Sequence, residues 1–154
     1  MSESPAPVRR EHLIREAAPA DVYAVVTDFP AYPRLFPDFA ATTVLATEGK
    51  RRRVEFRLQK VVPIRYVLDV ICDSDAATVE WTFVEGEVVT GAEGGWRFTA
   101  EGPGTRVAYR ASITIKAPLP GFVIRKVTDA LVSASLPAMF ASVEREVAAR
   151  RRAR

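Results

Sequence analysis

The stretch PGFVIRKVTDALVSASLPAMFASVEREVAAR, from Pro120 to Arg150, decides the fold. Ile124, Val127, Leu131, Ala134, Ala138 and Ala141 recur at helical spacing, and Phe140, Val143 and Val147 continue the apolar stripe. A helix of that length spans roughly 45 Å at about 1.5 Å per residue, enough to cross a small domain. Pro137 removes a backbone donor and crowds the preceding turn, which predicts a bend or break near Ser133 to Leu136. Nearly everything before this helix alternates as strands do. A single long helix and a strand-rich chain imply an α+β domain, a curved antiparallel sheet wrapped around the helix.

Working back from that helix, Val8 to Ala17 reads as a first strand. Ala18-Pro19-Ala20-Asp21 then opens a short helix, with Pro in its first turn, Asp21 at the positive end of the dipole, and Val22, Val25 and Val26 on one side. It runs out at Asp28-Phe29-Pro30, because a residue before proline is pushed away from helical angles. Pro30 to Phe39 holds Pro30, Pro33 and Pro37 among Tyr32, Phe36 and Phe39. That mixture predicts a second short helical turn and then a corner, with the three aromatics pinned into the core. Strands follow at 41–47, 52–59, 65–72 and 78–84. A loop or bulge is expected at Gly91, Gly94 and Gly95, then a strand carrying Trp96 and Phe98, and last a long strand at 105–115. Val54, Phe56 and Leu58 alternate against Arg53, Glu55, Arg57 and Gln59, and the other strands behave alike. Strands apolar on one face only belong to an antiparallel sheet whose other face meets water.

The 154 residues suffice for one domain with a real core. Residues 1–7 read as a loose lead-in, 8–150 as the domain and 151–154 as a basic tail. The net charge of +3 is concentrated in Arg51-Arg52-Arg53 and in the tail from Arg150 to Arg154. A solvated turn and a cationic helix end account for both runs, with an anionic membrane surface as the alternative partner. Cys72 is the only cysteine, so no internal disulfide forms and a reducing compartment is implied. His12 is the only histidine; with no Cys/His cluster and no HExxH, neither a metal nor a cofactor is expected. No signal-type apolar run opens the chain, and no stretch of about 20 apolar residues exists to span a bilayer. The expected location is cytoplasmic, with peripheral membrane contact and the oligomeric state left open.

Phe56, Tyr66, Leu68, Trp81, Phe83, Trp96, Phe98 and Tyr109 lie on the strand faces that should look at the helix. With Phe36 from the corner and Ile124, Val127 and Leu131 from the helix, they form the candidate ligand-binding set. A sheet curling over one helix encloses more volume than one helix face fills, and the remainder is an apolar pocket for a hydrophobic small molecule. Tyr66 and Tyr109 can turn hydroxyl tips toward a ligand. Catalytic residues are not indicated: Ser133 and Ser135 have no histidine partner, and Glu85 and Glu87 read as solvated carboxylates. The glycines do not follow a strand–GxGxxG–helix order, and there is no P-loop. Aromatics on the buried face leave no stacking platform for nucleic acid.

The run Ala18-Pro19-Ala20-Asp21-Val22-Tyr23-Ala24-Val25-Val26-Thr27-Asp28, then Tyr32-Pro33, then Trp81-Thr82-Phe83-Val84-Glu85-Gly86, carries a family likeness. Gly95-Trp96-Arg97-Phe98, Gly104-Thr105-Arg106-Val107 and Pro118-Leu119-Pro120-Gly121-Phe122 continue it. In this order the motifs resemble the START/Bet v 1-like superfamily and, within it, the coenzyme-Q-binding protein and polyketide cyclase/dehydrase branch. The resemblance implies a helix-grip fold with two short helices after the first strand. It also implies a cavity between sheet and C-terminal helix for a lipid, isoprenoid quinone, sterol or polyketide. Transport or chaperoning of such a molecule is the expected function. A polyketide aromatase/cyclase is the second reading, and a ribosome-associated module of the toxin type, using the two Arg runs, is the third.

Overall fold

A computed structural model describes residues 7–59, 63–116, 120–129 and 136–153. Seven strands form one sheet: β1 (Val8–Ile14), β2 (Phe39–Glu48), β3 (Arg51–Gln59), β4 (Pro63–Asp73), β5 (Thr78–Gly86), β6 (Val89–Glu101) and β7 (Gly104–Ile115). Its order is β1-β7-β6-β5-β4-β3-β2, with every neighbour antiparallel. The chain therefore runs from β2 to β7 through successive hairpins, and β1 adds to the far edge. Between β1 and β2 lie α1 (Pro19–Val26), one 3-10 turn (Phe29–Ala31) and α2 (Tyr32–Leu35).

Two helices are described after the sheet, α3 (Gly121–Asp129) and α4 (Leu136–Arg152). α3 and α4 cover the two ends of the helix expected from Pro120 to Arg150, and Pro137 is the second described residue of α4. Most of the expected bend, Ser133 to Ser135, lies outside the described residues. Leu136, Phe140, Val143 and Val147 are buried on α4, a stripe at helical spacing that faces the concave side of the sheet. No helix among the described residues is long and apolar enough to cross a membrane.

Two expectations change. β1 ends at Ile14, not Ala17. At the glycine-rich stretch the loop alternative falls and the bulge alternative holds: β6 runs through Gly91, Gly94 and Gly95, with a pairing irregularity between Val89 and Gly91. Alternation of apolar and polar residues weakens where glycines intervene, so the sequence understates this strand.

The turn between sheet and helices is tied by main-chain acceptors. Thr105, fully buried, donates its hydroxyl to the Ala17 carbonyl at 2.7 Å. Tyr32 donates to the Val26 carbonyl at 2.5 Å, and the Thr42 hydroxyl donates to the Phe29 carbonyl. The Val26 carbonyl lies at the end of α1, where intrahelical partners run out, and the Ala17 and Phe29 carbonyls lie in the connections that flank α1. At the start of α1 the Ala18 N–H donates to the Asp21 carboxylate at 3.3 Å, as its place in the first turn predicts.

A charged clasp then joins α2 to α4. Arg34 holds Glu146 through two bonds, 3.0 and 2.9 Å; Arg150 bonds Glu146 at 2.9 Å and Asp28 at 2.7 Å. The convex face of the sheet carries similar pairs: Arg53 forks onto Asp69 at 2.9 and 3.0 Å, and Arg65 reaches Glu55 at 2.8 Å. Arg51 bonds Glu48 at 2.6 Å, and Arg151 donates to the Glu16 carbonyl. Much of both basic runs is thus engaged within the chain, the geometry of solvated, self-paired surfaces. Such exposed pairs contribute about 0–1 kcal/mol each.

Glu146 differs because only 12% of its side chain is exposed. Its carboxyl falls to about 2 from an ordinary 4.5, chiefly through the Arg34 hydrogen bond, against the opposing cost of burial, with Arg150 adding to the shift. A depressed carboxyl stabilises the fold fully above its unfolded value, and that contribution is lost as pH falls from about 4.5 toward 2. Glu146→Gln is expected to cost about 1–2 kcal/mol at neutral pH. It should also remove part of the acid sensitivity between those two values, read from urea midpoints across pH.

Candidate functional site

α4 covers only part of the concave face, and a cavity of about 360 Å³ remains beneath its first turns. The volume is at the small end of the ~300–1,000 Å³ typical of small-molecule sites. The walls come from four directions. Ala138, Met139 and Ser142 of α4 form the roof, and Phe36, Pro37, Asp38 and Phe39 at the α2–β2 corner form one side. β3 and β4 contribute Phe56, Leu58, Tyr66, Leu68 and Val70, and β5 to β7 contribute Val79, Trp81, Ala92, Trp96, Tyr109, Ala111 and Ile113. Pro37 and Ala138 line the cavity yet are exposed, which puts the mouth between the corner and the start of α4.

Among the sequence-derived candidates, Phe36, Phe56, Tyr66, Leu68, Trp81, Trp96 and Tyr109 lie around this space. Phe83, Phe98 and Ile124 do not line it. Phe83 stands beyond Thr82, where pairing of β5 with β6 ends, and would lie 3.2 Å from a Cβ at Gly86. Phe98 is buried on the stretch of β6 beneath α1, edge-on to Tyr23 at 6.4 Å between centroids. Ile124 is half-buried on α3, which packs against β7. The Val127 side chain and Leu131 lie outside the described residues.

Two aromatic groups give the walls their shape. On one side Trp96 meets Tyr109 edge to face at 4.8 Å, and Tyr109 approaches Trp81 at 6.0 Å. On the other Phe56 stacks on Tyr66 at 5.4 Å and adjoins the corner ring Phe39 at 5.6 Å. The floor between them is cut away by small residues. Trp81, Gly94 and Ala111 face one another across β5, β6 and β7. A Cβ at Gly94 would stand 2.5 Å from Trp81 Cζ2 and 2.9 Å from the Ala111 Cα, so glycine is what lets the indole lie down.

The polar content of the cavity is sparse. Tyr66 and Tyr109 are buried, and neither hydroxyl makes a hydrogen bond with a described residue; Tyr32, beside them, is already committed to the Val26 carbonyl. Burial pushes the Tyr66 hydroxyl well above its ordinary value, with Tyr109 adding a little, and burial does the same to Tyr109. Both stay protonated and able to donate at any physiological pH. Ser142 Oγ accepts from Arg145 at 3.1 Å. His12 sits apart: it stacks on Phe140 at 5.2 Å, and its buried Nε2 lies 3.7 Å from Glu144 with no hydrogen-bond partner. It pairs with no nucleophile. Burial also raises the Cys72 thiol, which disfavours the reactive thiolate. No cluster of three or more possible metal-ligating side chains occurs among the described residues.

Sequence reasoning kept Tyr32 and Phe39 as core and did not single out Ala92 or Ala111 for the wall. The signal was present as alanines at inward strand positions where neighbouring strands carry Trp and Phe. Gly94→Ala is expected to destabilise the fold by about 1–3 kcal/mol, because the new Cβ meets the Arg110 carbonyl of β7 and forces Trp81 aside. A lowered melting temperature with a red-shifted tryptophan emission would report it; an unchanged emission maximum would contradict the packing described.

Residues 16–140 match the family described as polyketide cyclase / dehydrase and lipid transport. No curated protein matches the chain. Among solved structures, TTHA0849 from Thermus thermophilus superposes with a TM-score of 0.82 at 26% identity, over 94% of this chain and 98% of that one. The Zhui aromatase/cyclase from Streptomyces sp. R1128 gives 0.79 at 21% identity, over 97% of each chain. A START superfamily protein from Mycobacterium smegmatis gives 0.75 at 19% identity, over 92% of this chain and 96% of that one. These last two show the fold alone. The chain belongs to the polyketide cyclase/dehydrase and lipid-transport family and has its helix-grip architecture.

Proposed function

We propose that this family member binds a hydrophobic small molecule, such as a lipid, isoprenoid quinone or polyketide, in the cavity between sheet and α4, and carries or shelters it. The observation that supports this reading is the cavity itself: about 360 Å³ left unfilled in an otherwise packed core, walled by aromatics. An interior normally closes such a space, because lining atoms without partners forfeit dispersion contacts. Burying ~200 Å² of ligand surface at about 25 cal/mol per Å² supplies about 5 kcal/mol before the costs of association.

Both tryptophans of the chain, Trp81 and Trp96, line the cavity, so intrinsic fluorescence reports on occupancy without a label. Titration with 1-aminoanthracene is expected to quench that emission to saturation at one equivalent. Ala138→Trp, at the exposed mouth, should weaken binding at least about tenfold by occluding it. Equal affinity in the variant would place the probe elsewhere and defeat the proposal.

An aromatase/cyclase-type enzyme is the second reading, favoured by the two uncommitted hydroxyls. A tyrosine held protonated can donate to a developing oxyanion, a role worth roughly 100-fold or more in rate. Turnover of a polyketide-type substrate that collapses in Tyr66→Phe or Tyr109→Phe, with binding largely retained, would carry that assignment. Binding without turnover would leave the carrier reading alone.

A further inference from the structure

Resting on the cavity as a ligand site, we infer that its ligand class is narrow: an uncharged, compact ring compound bearing hydrogen-bond-accepting oxygens, and not a fatty acid or other carboxylate-headed lipid. Charge comes first. Among the described residues that line the cavity, no Lys, Arg or His appears, and the one charged side chain is Asp38 at the corner. Outside the described residues, 117–119 and 130–135 carry no charge, and 60–62, which follow β3, carry Lys60. A ligand carboxylate entering here sheds its water and meets no cation among the described lining residues, while the Asp38 carboxylate at the corner opposes it.

Donors come second. The hydroxyls of Tyr66 and Tyr109 and the indole N–H of Trp96 are bound to no described residue, although all three residues line the cavity and are buried. An indole N–H can only donate, and a protonated tyrosine offers its proton first to a better acceptor than another phenol. Carbonyl or ether oxygens on the ligand answer that set; a plain hydrocarbon leaves it unsatisfied.

Shape is third. Phe56 and Tyr66 on β3 and β4 stand across β5 from Trp96 and Tyr109 on β6 and β7, so flat faces bound the space on both sides. A rigid ring fits between them without the ordering cost of a flexible chain. The volume of about 360 Å³ suits two or three fused rings rather than a long tail held whole.

Equilibrium dialysis of the full chain at pH 7 against 9-fluorenone, fluorene, 9-fluorenone-2-carboxylate and palmitate tests this directly. The first two share a ring system and differ by the acceptor; the third adds a charge. Fluorenone is expected to bind at least about fivefold more tightly than fluorene. It should bind at least about tenfold more tightly than its carboxylate or palmitate. The Tyr66→Phe and Tyr109→Phe variants, checked for folding by circular dichroism, should draw fluorenone affinity toward that of fluorene. Fluorenone and fluorene binding alike would overturn the role of the donors while leaving the cavity a binding site. Carboxylate or palmitate binding as tightly as fluorenone would overturn the charge selection. Failure of all four to bind would bring down the cavity reading itself, and this inference with it.

Discussion

The sheet turns a concave apolar face toward α4, and the 17 described residues of that helix, about 25 Å at 1.5 Å per residue, leave part of it uncovered. Much else in the molecule answers that mismatch. α1 covers the end of β6 near Phe98, and the α2–β2 corner sends in Phe36 and Phe39 from the side. What neither reaches stays open. Small residues keep it open: Gly94, Ala92 and Ala111 below, Ala138 and Ser142 above. Had the alanines been leucines, their side chains would fill the space, whereas at Gly94 there is no room even for a Cβ.

The position of the roof depends on polar contacts far from the cavity. Arg34, Glu146, Arg150 and Asp28 fasten α4 to the corner that carries the mouth. Thr105 and Tyr32 fix the entry and exit of α1 by bonding carbonyls that no helix satisfies. The charges thus hold the walls apart, while the described residues that line the space include no Lys, Arg or His. That division lets an interior remain apolar and still be held in register. It also separates fold from chemistry, since the same scaffold serves as carrier or as cyclase according to what its few hydroxyls are made to do.

Much of this was legible in the chain. Alternation placed Phe56, Tyr66, Leu68, Trp81, Trp96 and Tyr109 on one face of successive strands, and the three-proline corner announced itself between Pro30 and Phe39. The glycine stretch in β6 was not legible as a strand, because Gly91, Gly94 and Gly95 have no side chains to show a face; their meaning depends on Trp81 and Arg110, residues on other strands. Phe83 and Phe98 have the right parity for the cavity but lie outside its length, and parity does not tell how far along a strand a cavity extends. The α2–α4 clasp joins residues 112 positions apart, beyond any local pattern.

The central claim is that the space under α4 is a site for a molecule and not a packing defect. Native mass spectrometry of the protein from its own source, repeated after addition of a neutral ring compound, tests it most directly. The account predicts a one-to-one complex, at purification or on addition, that dissociates when the protein is unfolded and is absent in Ala138→Trp. A bare mass under both conditions, with a crystal structure in which side chains fill the space between Trp96 and Tyr66, would contradict it.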